Sequence, residues 1–281
     1  MTELSQASQF LQARWILPIS EAPQEFAWLV LDEDKIIGIL SQEEFSTLPE
    51  KLTSGRSRKL GDAIICPGLM NLHTHLDYSA LKHFDNYSPF FSWIQGLIGN
   101  SWQWSAEQWL ESALLGAQEI MQSGTSMVLD ASYSGAAARA VARAGFRGIV
   151  GLELFGIVES DAEIAFDAWL AKYRKFVDEA EPALKTAISD GRVKVTIAPH
   201  TPYSVCPELI RKALNWSNSE GLPMLIHISE SEAECRWIAA DDAELNQFLA
   251  KAFRVEVPML DWRGPSGVPG RVYPGHRASR P

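Results

Sequence analysis

Short apolar runs alternate with amphipathic stretches along most of the chain, but the first 40 residues follow a different pattern. There, apolar runs at 26–31 and 36–40 flank the polar segment Asp32-Glu33-Asp34-Lys35, which is typical of a β-hairpin. The apolar segment Trp15-Ile16-Leu17 precedes them. We therefore expect residues 1–60 to form a small N-terminal β unit, a partial β-sandwich.

From residue 61 onward, strand-like and helix-like stretches follow one another, which predicts βαβ units and a parallel sheet. Five apolar runs are predicted strands: 63–72, 125–130, 148–155, 193–199 and 223–229. Amphipathic stretches predict helices at 106–122, 135–144, 162–179 and 207–219, and a further one from 231 to about 253. The fold class that follows is α/β.

The pattern changes abruptly after Trp262. Residues 264–281 hold four Gly, four Pro and three Arg in eighteen positions, with no apolar periodicity. Such a composition does not support a core strand or helix. We expect residues 263–281 to be an irregular tail.

The composition and charge of the chain favour some classes of binding partner over others. With 281 residues and 46% hydrophobic content, it can bury a large core, and its net charge of -10 disfavours nucleic acid and anionic membranes. A small-molecule substrate fits better, and a homo-oligomer is left open. Residues 1–14 do not resemble a secretory signal, and no stretch is apolar enough to span a membrane. The cysteines are scattered and odd in number, which favours the reducing cytoplasm: Cys66, Cys206 and Cys235.

The first candidate for chemistry is the pair His73 and His75. They lie two residues apart at the end of a predicted strand, so their side chains leave the same face, and imidazole is a common metal ligand. One divalent ion can reach both rings, although this spacing alone is a weak signal. Asp77, just behind them, is expected to cap the following helix.

Three ordered motifs carry a resemblance to a known family. They are Pro-Gly-Leu-Met-Asn-Leu-His-Thr-His at 67–75, Ala-Pro-His-Thr-Pro-Tyr-Ser-Val-Cys at 198–206, and Ile-His-Ile-Ser-Glu-Ser-Glu-Ala-Glu at 226–234. With them the chain resembles the amidohydrolase superfamily, in its branch of aromatic deaminases and chlorohydrolases. It is similar to the aminofutalosine and methylthioadenosine deaminases, and the likeness runs from about Trp15 to Trp262.

The resemblance implies a (β/α) TIM-like barrel over residues 61–262, with the site at the carboxyl ends of the strands. It implies that His227 is the third metal ligand beside His73 and His75, that Glu230 is the catalytic general acid/base, and that His200 contacts the substrate. The implied cofactor is one divalent metal ion, zinc first, with iron or manganese as alternatives. The implied reaction is hydrolytic deamination of an aminopurine nucleoside or similar N-heterocycle through a metal-activated water.

The chain also departs from the family pattern. A histidine on strand six and a metal-binding aspartate on strand eight are not found, and His276 lies in Pro-Gly-His-Arg, which predicts no strand. About five of the eight barrel units can be counted, so we expect a chain truncated at its C terminus near Val268. Two alternatives to the deaminase stay open: an inactive metal-binding remnant, and a hydrolase of the chlorohydrolase type.

Tryptophan is frequent, with four residues between 93 and 109. Such residues can line a lid over a flat aromatic substrate, but helix packing is the preferred interpretation. The four are Trp93, Trp102, Trp104 and Trp109.

Overall fold

The structure is a computed structural model that describes residues 9–85, 87–240 and 245. The chain divides into two compact units, Met1–Leu69 and Met70–Pro281. The expected domain boundary at residue 60 stays a prediction, and the tail at 263–281 lies outside the described residues. Within the described part of the chain, no helix combines the length and the apolar character that crossing a membrane requires.

In its described residues, 9–69, the first unit consists of short strands and two short helices. Its strands are β1 (Gln9–Gln12), β2 (Trp15–Ile16), β3 (Gln24–Glu25), β4 (Trp28–Asp32), β5 (Lys35–Leu40), β6 (Ser57–Lys59) and β7 (Ile64–Ile65). Its helices are α1 (Gln42–Ser46) and α2 (Glu50–Thr53). One sheet has the order β5-β4-β1-β6 and the other the order β3-β2-β7.

The hairpin expected in this unit is confirmed. Strands β4 and β5 pair antiparallel, with Asp32 opposite Lys35 at the turn. Trp28 and Phe10 are buried on one face of the sheet, and the ring of Phe45 stacks on Trp28 with centroids 3.8 Å apart. This stacking gives the small unit an apolar core of its own.

The second unit carries strands that alternate with helices. The strands are β8 (Leu69–Thr74), β9 (Thr125–Ser132), β10 (Arg147–Leu154) and β11 (Val193–Pro199). The helices are α3 (Phe90–Ser101), α4 (Ala106–Gln122), α5 (Ala136–Ala144), α6 (Ala162–Asp178), α7 (Pro182–Ser189), α8 (Pro207–Ser219) and α9 (Glu232–Ala240), and two 3₁₀ helices span Leu76–Leu81 and Glu159–Asp161. The sheet order is β8-β9-β10-β11, and β9, β10 and β11 pair in parallel.

Most of the expected helices are confirmed by the structure. The sequence predicts them well because the ends of several helices carry recognisable capping signals. Helix α4 begins after Ser105, whose side chain accepts from the backbone of Gln108 in a capping box. Helix α8 begins with Pro207, whose missing N–H would have no partner in the first turn. Helix α7, which also begins with a proline, was not anticipated.

Two expected strands differ in the structure. The run at 63–72 is interrupted by Pro67 and Gly68, so β7 and β8 are separate strands. The run at 223–229 is not a regular strand, although Leu225 and His227 donate backbone hydrogen bonds to β11 and its end, at 3.1 and 3.0 Å. Pro223 has no N–H to continue such a ladder. Of the helix expected at 231–253, α9 covers the first part, and residues 241–244 and 246–253 lie outside the described residues.

The core of the second unit lies where α4, α5, α6 and α8 pack on the sheet. Helix α5 is rich in alanine, and its small side chains are buried, which allows the helix to lie close to its neighbours. On β11, exposed Lys194 lies between buried Val193 and Val195, and Ile197 is 0% exposed. The packing of the helices on this face of the sheet holds the strands, and therefore their ends, in place.

Replacing Ile197 with alanine tests this packing. We expect Ile197→Ala to lower the free energy of unfolding by about 2–5 kcal/mol, because it leaves a cavity among well-packed side chains. Lys194→Ala, three residues earlier on the same strand, is the matched control and should stay within about 0.5 kcal/mol of the original chain. Urea unfolding followed by circular dichroism measures both, and equal losses would contradict this description of the core.

Candidate active site and metal centre

The three histidines that the sequence proposes as metal ligands lie together. His73 and His75 leave the end of β8, and His227 lies in the extended segment beside β11. One ligand nitrogen of each ring lies within 4.8 Å of the other two. The Nε2 atoms of His75 and His227 are 3.0 Å apart, and their rings are nearly parallel.

Backbone carbonyl groups hold two of these rings from behind. Nδ1 of His75 lies 2.9 Å from the carbonyl oxygen of Ala131, and Nδ1 of His227 lies 3.0 Å from that of His200. A carbonyl oxygen only accepts, so each Nδ1 must be the protonated nitrogen that donates. Each Nε2 then presents a lone pair, and two lone pairs face each other across 3.0 Å. A shared cation is the natural partner for this arrangement, so the residues present fit a metal.

The protonation state of the three rings also suits metal binding. Desolvation by burial lowers the pKa of His75 to about 4, and His227 nearby adds to the effect. Desolvation likewise lowers the pKa values of His73 and His227. All three rings are therefore neutral at pH 7, which is the form that binds metal ions.

A buried aspartate fixes the backbone on both sides of His75. Oδ2 of Asp130, on β9, accepts from Oγ1 of Thr74 at 2.7 Å and from the backbone N–H of Leu76 at 2.8 Å. Residues 74 and 76 flank His75, so these bonds hold the chain in place on both sides of it. The other oxygen of Asp130 has no hydrogen-bond partner within the described residues. Burial, with a contribution from Asp77, raises the pKa of Asp130 to about 8.

Asp77 does not cap the helix that follows it, which corrects the expectation. Its carboxylate accepts four hydrogen bonds near the start of α5, from Ser132, from the backbone and hydroxyl of Ser134, and from the N–H of Ala137, all at 2.8–2.9 Å. A carboxylate at a helix N terminus satisfies donors that the helix leaves open. Asp77 therefore ties the turn after β8 to helix α5.

Glu230 lies beside the histidine cluster, on the turn that leads into α9. The hydroxyl group of Tyr203 donates a hydrogen bond to its carboxylate. Desolvation raises the pKa of Glu230, while the bond from Tyr203 and the nearby His73 oppose that rise. A carboxyl group with a raised pKa is better placed to accept a proton and return it near neutral pH.

The turn that carries Glu230 is held by a second glutamate. Ser229 adopts a φ of 59°, which is uncommon for a residue with a side chain. The carboxylate of Glu234 accepts from the N–H groups of Ser229 and Glu230 at 3.1 and 2.8 Å, and Ser231 Oγ accepts from the Glu234 N–H. Glu234 thus stabilises the strained turn, because it satisfies two backbone donors there.

A cavity of about 820 Å³ opens in front of these groups. His73, His75, His200, His227 and Glu230 all line it. Its remaining wall is largely aromatic, and neighbouring rings contact one another: Tyr78–Trp109 at 5.3 Å, Trp109–Tyr133 at 5.7 Å, Tyr133–Phe155 at 6.2 Å and Phe155–His200 at 4.8 Å. Such walls suit a flat ring.

The tryptophans divide between the two interpretations. Trp93, Trp102 and Trp109 line the cavity, and Trp109 also belongs to the buried core. Trp104 packs on Trp109 with centroids 4.9 Å apart. Helix packing thus describes Trp104, while Trp93 and Trp102 line the cavity and Trp109 does both.

Two further polar groups lie on the same wall. Nδ1 of His200 is 2.9 Å from Oγ of Ser204, and burial lowers the pKa of His200 to about 3, so the ring is neutral. Glu153, next to last on β10, is 8% exposed and lines the cavity. Burial, with repulsion from Asp77, raises the pKa of Glu153 to about 8.

Sequence reasoning did not find several of these residues. Asp130 and Glu153 each lie near the carboxyl end of an apolar strand, and an acidic residue in that position is the signal that could have singled them out. Tyr203 and Glu234 lie inside the quoted motifs without being assigned a role. The sequence carries no signal that Tyr203 would reach Glu230, since the two are 27 residues apart.

The sequence profile of the Amidohydrolase family matches residues 64–252, which is more than half of the chain. The chain belongs to the amidohydrolase family. The matched range contains all of the candidate ligands.

Curated relatives point to one branch of this family. The chain is 29% identical over 230 residues to the 5-methylthioadenosine/S-adenosylhomocysteine deaminase of Pelotomaculum thermopropionicum, covering 79% of this chain and 50% of that protein. It is 30% identical over 178 residues to the 5'-deoxyadenosine deaminase of Methanothermobacter thermautotrophicus, covering 61% and 39%. The chain therefore spans half or less of the length of these relatives.

Solved structures share the fold. Aminofutalosine deaminase of Helicobacter pylori, in complex with methylthio-coformycin, aligns with a TM-score of 0.72 at 20% identity, over 88% of this chain and 57% of that one. Atrazine chlorohydrolase TrzN of Arthrobacter aurescens, complexed with zinc, aligns with a TM-score of 0.65 at 18% identity, over 86% and 57%. The fold is thus of the (β/α) TIM-barrel type, and the chain corresponds to part of these longer chains.

Replacing Asp130 with asparagine tests its burial as a neutral acid. The folded pKa of about 8 lies above the ordinary value of 3.8, so the folded chain retains a proton that the unfolded chain releases. The stability that this group contributes is complete below about pH 4 and is lost as the pH rises toward 8. Asp130→Asn removes that loss. As the pH rises, the free energy of unfolding of the variant should therefore increase relative to that of the original chain by up to about 1.4 kcal/mol per pH unit.

Urea unfolding of both chains at pH 5, 6, 7 and 8 provides the measurement. Asp62→Asn, at an exposed position, is the control and should show no such trend. A stability difference between the Asp130 variant and the original chain that stays constant with pH would mean that Asp130 is not buried as described.

Proposed function

We propose that this chain provides the metal-binding part of a hydrolytic deaminase that releases ammonia from an aminopurine nucleoside or a similar N-heterocycle. The observation that carries the proposal is the pair of Nε2 lone pairs of His75 and His227, which face each other at 3.0 Å beside Glu230. The 5-methylthioadenosine/S-adenosylhomocysteine and 5'-deoxyadenosine deaminases among its relatives support the reaction class.

His73, His75 and His227 would hold one divalent metal ion. Three neutral nitrogen ligands suit zinc, and a structural neighbour, atrazine chlorohydrolase, was solved with zinc. When bound, such an ion lowers the pKa of a water molecule to about 7 and so supplies a nucleophile at neutral pH. The carbonyl groups of Ala131 and His200 keep two of the ligand rings oriented for it.

Glu230 would act as the proton carrier. Hydrolysis forms a C–O bond to the water oxygen and breaks the C–N bond, so one proton has to pass from the water to the departing amine. A carboxylate beside the histidine cluster can accept that proton and then deliver it, and its raised pKa suits both steps. The hydrogen bond from Tyr203 would hold the carboxylate in place between them.

The aromatic cavity would bind the heterocycle. Its volume of about 820 Å³ is within the usual range for small-molecule sites, and its wall of rings suits stacking on a planar substrate. His200, neutral and held by Ser204 at Nδ1, would contact the substrate through its other ring nitrogen. The proposed metal ligands and Glu230 line the same cavity.

A cytoplasmic location belongs to this proposal as well. All three cysteines are free thiols, which supports a reducing compartment: Cys66, Cys206 and Cys235. The proposed partner is a small molecule, as the names of the deaminase relatives suggest.

Hydrolytic release of chloride is the second candidate function. The fold similarity to atrazine chlorohydrolase favours it, since the same ligands and the same aromatic cavity could serve a different leaving group. Measuring ammonia and chloride release from matched amino and chloro substrates separates the two reactions. An inactive metal-binding chain is the remaining alternative, and metal uptake without release of either product would support it.

Removing the carboxylate of Glu230 tests the proposed mechanism. With Zn²⁺, Fe²⁺ or Mn²⁺ added, we expect the chain to release ammonia from 5'-methylthioadenosine or adenosine, and Glu230→Gln to lower kcat by about 10²- to 10⁴-fold, because the proton carrier is lost. Metal content, measured by mass spectrometry, should not change, because Glu230 is not a proposed ligand.

The matched control is Glu232→Gln, an exposed carboxylate two residues later that pairs with Arg236. It should retain full activity. Undiminished ammonia release by Glu230→Gln would refute the proton-carrier role.

A further inference from the structure

Glu153 is a buried carboxyl group for which the proposed reaction gives no role. It lies near the carboxyl end of β10, is 8% exposed and lines the cavity. Among the described residues, none of the hydrogen bonds and ion pairs involves its side chain. Asp77, buried to a similar degree, accepts four hydrogen bonds. Burying a carboxyl group without a donor is costly, so the cavity is where a donor for Glu153 is expected.

The position of Glu153 says which part of a ligand it would meet. One carboxyl oxygen lies within 4.8 Å of ligand nitrogens of both His200 and His227. The Glu153 carboxyl group therefore lies next to His227 of the proposed metal-binding cluster. It is on the cavity wall that carries Phe155 and Tyr133. A flat ligand stacked on this wall, with its reacting carbon at the cluster, would present the groups around that carbon to Glu153.

We propose that Glu153 accepts a hydrogen bond from the N–H edge of an aminoheterocycle, and that it makes the site select amino-substituted rings over chloro-substituted ones. The inference rests on the proposed function and deepens it, because it names the group on the substrate that is recognised. A chlorine atom in place of the amino group has no hydrogen to donate. It would leave the accepting oxygen of Glu153 buried without a donor, and sites that lose a partner in this way discriminate strongly.

Binding measurements on a catalytically silenced chain test the selection. The probes are adenosine and 5'-methylthioadenosine and the 6-chloropurine counterpart of each, titrated calorimetrically into the zinc-loaded Glu230→Gln chain. We expect the amino compounds to bind at least about tenfold more tightly than their chloro counterparts. Adding Glu153→Met, which removes the acceptor but keeps an unbranched chain, should weaken amino binding by about ten- to a hundredfold and leave chloro binding within about threefold.

Two further variants separate recognition from a merely structural role. Glu153→Gln retains an oxygen that can accept, so it should keep part of the preference for amino compounds. Glu159→Gln, at an exposed carboxylate six residues later, is the control and should change neither affinity. If Glu153→Met does not fold by circular dichroism, the amino preference of the Glu230→Gln chain and its reduction by Glu153→Gln decide the question.

The outcomes that overturn the inference are distinct from those that overturn the proposed function. Equal binding of amino and chloro compounds, in a chain that still releases ammonia, would refute the role of Glu153 alone. An equal loss for both compounds in Glu153→Met would assign it a structural role. A drop of more than about tenfold in zinc affinity without a change in selection would make Glu153 a metal ligand instead. Binding of neither compound would remove both proposals.

Discussion

The site depends on one constraint, the fixed orientation of two histidine rings by backbone carbonyl groups at the ends of parallel strands. His75 and His227 each face a carbonyl oxygen with Nδ1, so each must present Nε2 to the other. The carbonyl groups belong to Ala131 on β9 and to His200 just after β11, so the sheet itself sets the direction of both lone pairs. A metal-binding geometry is thus a consequence of the strand order.

Burial sets the protonation states of the groups around the site. Desolvation holds the histidine rings neutral, and it also raises the pKa of every buried acid around them, including Asp77, Asp130 and Glu153. The ionised forms of these acids would repel one another, and a cation at the cluster would offset that repulsion and so favour the ionised forms. The hydrogen bonds that Asp77 and Asp130 accept tie the turn after β8 to β9 and α5. The same groups therefore hold the segment that carries the candidate ligands His73 and His75 against the rest of the fold.

Much of this arrangement could be predicted from local patterns. Alternation along the strand put His73 and His75 on one face, and Ser105 and Pro207 marked helix starts because capping acts over three or four residues. The resemblance then supplied His227, His200 and Glu230, which the structure brings to one cavity. Their assigned roles stay predictions, as do the domain boundaries.

Other features depend on contacts between distant segments and left no local signal. The segment at 223–229 is apolar enough for a strand, but Pro223 and its few bonds to β11 leave it irregular. Glu153 becomes buried, and one oxygen of Asp130 is left without a partner among the described residues, only when β9 and β10 lie side by side. Nothing in the local sequence distinguishes a packed Trp93 or Trp102 from one that lines a cavity, and only the folded arrangement places both at the cavity.

The most direct test of the central claim is the protonation pattern of the histidine rings in the zinc-loaded chain. The chain has six histidines, so ¹⁵N-histidine labelling with long-range ¹H–¹⁵N NMR, assigned by single replacements, can resolve His75 and His227. The account predicts protonated Nδ1 and metal-shifted Nε2 on both rings. A protonated Nε2 on either ring, or spectra that zinc leaves unchanged, would contradict it.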